Sequence, residues 1–215
     1  LDRRRGGLTW LDREAPGSLS LEAYLKNQSS AYGVLCGCGG VFSLDVQQVL
    51  VSHLASGHDL TAVTTWQEGE DRVILCILSR ELLLQCLAAG ERPETWLQPP
   101  EQLPRTLDGR PVTINLYGHN GPFLEFGSWE QFLQNHLRIL EPGLWQQLFG
   151  PEHLVCTRPQ DVPPAWWGEH AACLDSLVSS GCRVEGTLER AVLSECVTVG
   201  PGARVRESVL LDGAV

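Results

Sequence analysis

A chain of 215 residues with 43% hydrophobic and 20% charged side chains carries enough apolar material for one large folded domain or two smaller ones. Its net charge of -10, with no basic cluster beyond Arg3, Arg4 and Arg5, leaves nucleic acid and anionic membranes without an electrostatic footprint. The longest apolar run, Val73 to Leu78, falls far short of the roughly 20 residues a membrane helix needs, and the first residues lack a secretory pattern, so the chain reads as cytoplasmic.

In chain order, residues 1–20 are polar, contain glycine and are broken by Pro16, as in a surface loop. Leu21, Tyr24 and Leu25 set a short helical spacing over 21–28, followed by an extended run at 31–36 and a sharp turn at 37–40. An extended stretch over 41–44 leads to Asp45 as a helix N-cap. The amphipathic helix beyond it has Val46, Val49, Leu50 and Leu54 on one face and stops at Gly57. With the strand expected at 60–66, this order predicts a parallel βαβ unit of an α/β sheet. A polar turn at 67–71 separates it from a buried strand at 72–78 and a helix at 80–89 stopped by Gly90. Residues 98–105 are Pro-rich and loop-like, and 112–117 form a strand. A helix over 129–140 aligns Phe132, Leu133, His136, Leu137 and Leu140, and His136 on that stripe reads as a half-buried structural residue rather than a ligand. Residues 156–170, with Pro159, Pro163 and Pro164, read as a connector whose Trp166 and Trp167 pack the sheet domain onto the carboxy-terminal part of the chain.

From Ala191 onward, small or aliphatic residues return every six positions. Ala191, Val197, Ala203, Val209 and Val215 form one register; Leu193, Val199, Val205 and Leu211 form the other. That period suits a coil of short parallel strands that turns a corner at each hexad. One coil cannot bury its own apolar face, so Val199, Ala203, Val205, Val209 and Leu211 are expected to build and assemble the repeat. Gly200 to Gly202 is then a corner, not a phosphate loop. The absence of methionine, the first residue Leu1 and a repeat that stops at Val215 suggest an internal piece of a longer polypeptide.

The eight cysteines (Cys36, Cys38, Cys76, Cys86, Cys156, Cys173, Cys182, Cys196) form no CxxC pair and read as small buried hydrophobes in a reducing compartment. His53, His58 and Asp59 could suggest a metal cluster, but both histidines flank a helix end, where capping or solvent exposure is expected. Ser52 and Ser56 lack the base-and-acid arrangement of a nucleophile.

Four stretches carry a resemblance to a known family. They are LDRRRGG at 1–7, SLDVQQVLVSHLASGHDLTAV at 43–63, EFGSWEQFLQNHLRIL at 125–140, and the run from VCTRPQDVPP to DSLVSSGCRVEGTLERAVL at 155–193. Together they resemble the glucose-1-phosphate adenylyltransferase (ADP-glucose pyrophosphorylase) family, nearest the regulatory-type second subunit of bacterial glycogen biosynthesis. The resemblance implies an α/β nucleotidyltransferase (Rossmann-like) domain over 1–155, incomplete at its amino terminus. A connector over 156–170 and a truncated left-handed parallel β-helix of hexapeptide repeats over 171–215 would complete the chain.

The family's reaction is attack by the phosphate of glucose 1-phosphate on the α-phosphorus of ATP. It requires an amide cradle for phosphates, basic side chains and carboxylates that hold Mg²⁺. The resemblance places the first metal-holding Asp position on Gly39, which has no oxygen side chain, and the second on Glu125. Cys36 and Cys38 beside Gly39 are too soft for Mg²⁺. The family's insertion with a sugar-phosphate-binding lysine is reduced to QEGED at 67–71, and Lys26, the only lysine, does not match it. This combination implies a non-catalytic regulatory or scaffold-type subunit in a hetero-oligomer with a catalytic adenylyltransferase subunit, with Mg²⁺ required only if the chain is catalytic. An active adenylyltransferase is the alternative. A hexapeptide-repeat acyltransferase is disfavoured because no histidine follows His170. Arg3 to Arg5, Arg158, Arg190 and Arg204 are the candidates for a sugar-phosphate effector.

Overall fold

A computed structural model describes residues 20–67, 69–151 and 161–215. Arg3 to Arg5, the loop expected before residue 20, Cys156, Arg158 and Pro159 lie outside these ranges. The chain runs through α1 (Leu21–Lys26), β1 (Tyr32–Cys36), β2 (Gly40–Phe42), α2 (Val46–Ser56), β3 (Leu60–Gln67), β4 (Glu70–Ser79) and α3 (Arg80–Ala88). Two 3₁₀ turns, Pro93–Leu97 and Pro100–Gln102, precede β5 (Thr106–Leu107), β6 (Arg110–Pro111), β7 (Ile114–Gly118), β8 (Phe123–Glu125), α4 (Trp129–Arg138) and α5 (Pro142–Phe149). The remaining strands are β9 (Trp166–Trp167), β10 (Ala172–Leu174), β11 (Leu177–Val178), β12 (Arg183–Val184), β13 (Thr187–Glu189) and β14 (Val192–Leu193). Last come β15 (Thr198–Val199), β16 (Arg204–Arg206) and β17 (Val209–Leu210).

These elements form two compact units that do not follow chain order. The first, comprising 20–38 and 44–121 among the described residues, is built on a sheet of order β1-β4-β3-β7. Strand β4 is antiparallel to both its neighbours, β1 and β3, and β7 pairs parallel to β3. Strands β1 and β3 therefore run parallel to each other, connected through α2 as the expected βαβ order requires. What differs is that β2 lies outside this sheet and that β4 stands between the two parallel strands. A tight hairpin, with Gln67 opposite Glu70 and Gly69 at φ 90°, makes the antiparallel pair the shortest connection available.

The aliphatic run Val73 to Leu78 is buried throughout because helices cover both faces of the sheet. On one face Leu60, Ala62, Cys76 and Leu78 pack against Leu82, Leu83 and Cys86 of α3 and against Trp96. Trp96 Nε1 donates to Cys86 Sγ at 3.2 Å, and Cys76 Sγ donates to the Trp96 carbonyl at 2.9 Å, so these two cysteines are satisfied core residues. Burial pushes the Cys76 thiol up to about 12.

The other face is closed by α2, which begins and ends as its sequence dictates. Asp45 Oδ1 accepts from the Gln47 and Gln48 amides at 2.9 and 3.3 Å, and Gly57 at φ 65° ends the helix. Its buried side is not the expected one, however. Val49 and His53 face the sheet, while Val46 and Leu54 are exposed. His53 is only 4% exposed, contrary to the solvent-facing position expected, because its Nδ1 lies 2.9 Å from Thr61 Oγ1 on β3. The Tyr32 ring meets its imidazole edge-on, with centroids 5.4 Å apart. Burial, and to a lesser degree His58, hold the His53 pKa below its ordinary value.

The second unit comprises Gly39–Ser43 and, among the described residues, 122–151 and 161–215. Strands β9 to β17 form three parallel three-stranded sheets, β9-β12-β15, β10-β13-β16 and β11-β14-β17, as expected of a β-helix. Trp166 and Trp167 therefore belong to the first rung rather than to a connector, with Trp166 paired to Arg183. Inside the coil lie Cys182, Val184, Leu188, Ala191, Leu193, Val197 and Val199, all under 4% exposed. On the outside, helix α4 packs against β17.

The rungs depart from an even hexad. Arg183 pairs with Trp166, 17 residues earlier, and with Thr198, 15 residues later. The second rung is short because Glu185 and Gly186 alone turn a corner that takes four residues, Gly168 to Ala171 and Gly200 to Ala203, in the neighbouring rungs. Another corner turns on residues at positive φ, Asp175, Arg190 and Glu207, so each of those sides is five residues long. The hydroxyls of Ser176 and Ser208 donate back to Leu174 O and Arg206 O at 2.8 and 2.6 Å, which supports that turn.

The six-residue registers consequently slip by one after Val205. Leu210 and Ala214 pack toward the coil interior, whereas Leu211 is 53% exposed and Val215 fully so. Of the other expected repeat builders, Val199 is buried, Val205 and Val209 are half-buried and Ala203 is exposed.

Gly186 has no room for a side chain: a Cβ there would strike Ala203 O and lie 2.9 Å from Gly200 O, while Gly200 itself is open. Gly186→Ala should cost about 1–3 kcal/mol in urea unfolding, and Gly200→Ala should stay within about 0.5 kcal/mol; equal effects would refute the close-packed corner. For His53, the unfolded chain takes up a proton below pH 6.5 that the folded chain resists, so stability should fall as pH drops from that value toward the lower folded pKa. His53→Gln should flatten this part of the profile, as read by unfolding at a series of pH values.

Candidate functional site

The two positions singled out for metal, Gly39 and Glu125, lie far apart in sequence but side by side in the fold. Strands β2 and β8 form a two-stranded antiparallel ribbon with Gly40 opposite Glu125, Val41 opposite Leu124 and Phe42 opposite Phe123. The Phe126 amide then donates to Gly39 O at 2.9 Å, which extends the pairing to Gly39 itself. Glycine is required at position 40, where a Cβ would strike the Phe123 ring and lie 2.9 Å from Leu124 O. Leu124 is 1% exposed and anchors the ribbon.

Glu125 is half-buried beside the first turn of α4. Ser128 caps that helix by accepting from the Gln131 amide at 3.1 Å. The Gln131 side chain accepts from the Gly127 amide at 3.0 Å and approaches Glu125 Oε2 at 3.5 Å. Asn135 donates to the Glu125 carbonyl at 2.5 Å, so α4 fixes both the backbone and the side-chain surroundings of this carboxylate. The aromatic stripe of α4 includes His136, whose ring is 4.1 Å from that of Phe132 and whose Nδ1 lies 2.7 Å from Phe132 O, a structural role as expected.

A hard divalent cation needs several oxygen donors. Gly39 supplies no side-chain oxygen, and the space where its Cβ would stand is empty to 4 Å. Cys36 offers a thiol that partial burial and neighbouring Cys38 push above its ordinary value, a poor partner for Mg²⁺ in either protonation state. Among the described residues, no group of three or more His, Cys, Asp or Glu is placed to hold a metal. The residues at this ribbon do not fit Mg²⁺.

The other sequence candidates separate into local duties. Asp59 Oδ2 accepts from the Thr113 amide and hydroxyl at 2.9 and 2.8 Å, and these bonds hold its carboxyl below the usual range. His58 Nδ1 lies 2.9 Å from Ser56 O, and Ser56 Oγ donates to His53 O at 2.8 Å, so His53, His58 and Asp59 do not converge. Lys26 pairs with Glu22 at 2.6 Å on the exposed side of α1. Arg190 turns a coil corner at φ 50°, and Arg204 opens β16.

Cys36, Cys38, Cys173 and Cys196 are exposed, contrary to the buried role expected, because they fall at a strand end, in a turn, on the first rung and at a coil corner. Sequence reading also missed a stack on the coil surface: the Arg183 guanidinium lies 4.5 Å from the Trp166 ring centroid and bonds Glu185 at 2.9 Å. Only the 17-residue offset between Trp166 and Arg183 could have signalled it.

Comparison with known proteins finds a family match at the carboxy-terminal coil and relatives along most of the chain. Residues 164–215 match the GlmU-like, C-terminal hexapeptide family. The chain is 28% identical, over 85% of its length, to the glycogen biosynthesis protein GlgD of Bacillus subtilis (strain 168), and covers 52% of that protein. It is 38% identical to a GlgD of Geobacillus stearothermophilus over 32% of the chain and 20% of that protein. A glucose-1-phosphate adenylyltransferase of Geobacillus stearothermophilus is 24% identical across 96% of the chain and 64% of the enzyme. The chain thus spans about half of the Bacillus relative. Its alignment with the enzyme runs over 249 positions, more than its own 215 residues, so the enzyme carries segments without a counterpart here. The chain is a GlgD-like relative of the glucose-1-phosphate adenylyltransferase family.

Proposed function

We propose that this chain is a non-catalytic, regulatory or scaffold-type subunit that works in the cytoplasm beside a catalytic glucose-1-phosphate adenylyltransferase in glycogen biosynthesis. The partner would carry out the conversion of ATP and glucose 1-phosphate to ADP-glucose and pyrophosphate. The observation that carries this reading is the β2–β8 ribbon: it brings together Gly39 and Glu125, the two positions that the resemblance assigns to metal, yet offers one carboxylate, Glu125, beside two glycines, Gly39 and Gly40.

The tight β3–β4 hairpin agrees with this, since Gln67 pairs with Glu70 and no chain remains there for a lysine-bearing insertion. Relatives named as glycogen biosynthesis proteins support the pathway. The coil, read as a left-handed β-helix, would serve assembly. Its buried Val199 holds the rung, and exposed Ala203 and Leu211 lie on surfaces open to a partner. The retained Glu125 is the one feature that favours an active enzyme instead.

Pyrophosphate release separates these readings. The purified protein with ATP, glucose 1-phosphate and Mg²⁺ should show no turnover above buffer. Mixed with a catalytic adenylyltransferase, it should co-elute with that enzyme and change its rate. Robust turnover by the protein alone would overturn the proposal.

A further inference from the structure

Strand β1 ends at Cys36, and residues 37–39 leave regular structure before β2 begins. Cys36 and Cys38 are both free and exposed, with only Gly37 between them. The Cys36 thiol is already turned along this link, since Sγ donates to Gly37 O at 3.4 Å. The Gly37 amide donates to Ile74 O at 3.1 Å, which carries the β1–β4 pairing one residue past Cys36, and Cys38 follows in the bend. Burial first, and then the neighbouring Cys38, disfavour ionisation of the Cys36 thiol. Neither has a role in the core or in the ribbon.

We propose that Cys36-Gly37-Cys38 is a thiol modification site that closes to an intramolecular disulfide by exchange with a low-molecular-weight disulfide such as oxidised glutathione. The Cys38 thiolate attacks one sulfur of the reagent, expels a glutathione thiolate and becomes a mixed disulfide. Cys36, having given its proton to solvent, attacks the Cys38 sulfur and expels the second glutathione. Two cysteine thiols are oxidised, one disulfide is reduced to two thiols, and the two protons leave with those products. Cys38 attacks first because it stands in the exposed bend, whereas Cys36 is held at the paired end of β1. A ring this small is readily reduced, so the bond is a reversible modification rather than a structural staple. It would lock the bend immediately before Gly39, where the ribbon begins.

The test is mass mapping of the native protein after incubation with oxidised glutathione and acid quench, a readout independent of any catalytic assay. The peptide spanning residues 36–38 should lose the mass of two hydrogen atoms, keep no glutathione and regain both thiols with dithiothreitol. Cys36→Ser, checked for fold by circular dichroism, should instead retain one glutathione on Cys38. Exposed Cys173 and Cys196 serve as internal references for simple adducts. A wild-type peptide carrying glutathione without closure, or one left reduced while the reference cysteines react, would overturn the proposal.

Discussion

The pairing of Gly40 with Glu125 is the constraint on which the functional account rests. It requires a glycine at position 40 because the Phe123 ring and the Leu124 carbonyl occupy the space of a side chain. It then fixes Gly39 one residue further along, within reach of the Phe126 amide. Helix α4 completes the arrangement through Gln131 and Asn135, which hold Glu125 from its side-chain and carbonyl ends. The packing of the ribbon thus does not depend on a side-chain donor at Gly39, and the pairing stands without one.

The coil depends on a different balance. Its interior is filled by Val184, Leu188, Leu193 and Val199, and burial of such aliphatic side chains is its main source of stability. The corners oppose that gain, because Asp175, Arg190, Cys196 and Glu207 adopt a left-handed backbone that favours glycine. Serine hydroxyls at positions 176 and 208 offset part of the cost, and Gly186 permits the two-residue corner that shortens the second rung. Side-chain chemistry at the corners, not the hexad itself, sets the length of each rung.

Local signals were legible where their cause is local. Asp45 and Gly57 bound α2 as read, since a cap and a left-handed stop act within a turn of the helix. The period of the coil was also visible, because parallel rungs repeat the same inward position. The antiparallel insertion of β4 between β1 and β3 was not, for it is decided by the short hairpin at Gln67 and Glu70 rather than by alternation within the strands. The buried face of α2 was misassigned for a similar reason: Thr61 supplies a hydrogen bond that draws His53 inward, and a count of apolar residues cannot see it. Gly39 and Glu125 could be named individually, but their adjacency comes from a ribbon that joins residues some eighty positions apart in the chain.

The proposal that glycine at position 39 denies the ribbon a second carboxylate for a cation is tested most directly by manganese binding, monitored by electron paramagnetic resonance. The wild-type protein should bind no manganese at concentrations where Gly39→Asp does, and that gain should vanish in the Gly39→Asp, Glu125→Gln double variant. Gly39 has open space around its Cβ, so the added side chain should be accepted without repacking. Wild-type binding as tight as that of the variant, or no gain in a folded Gly39→Asp protein, would contradict the account.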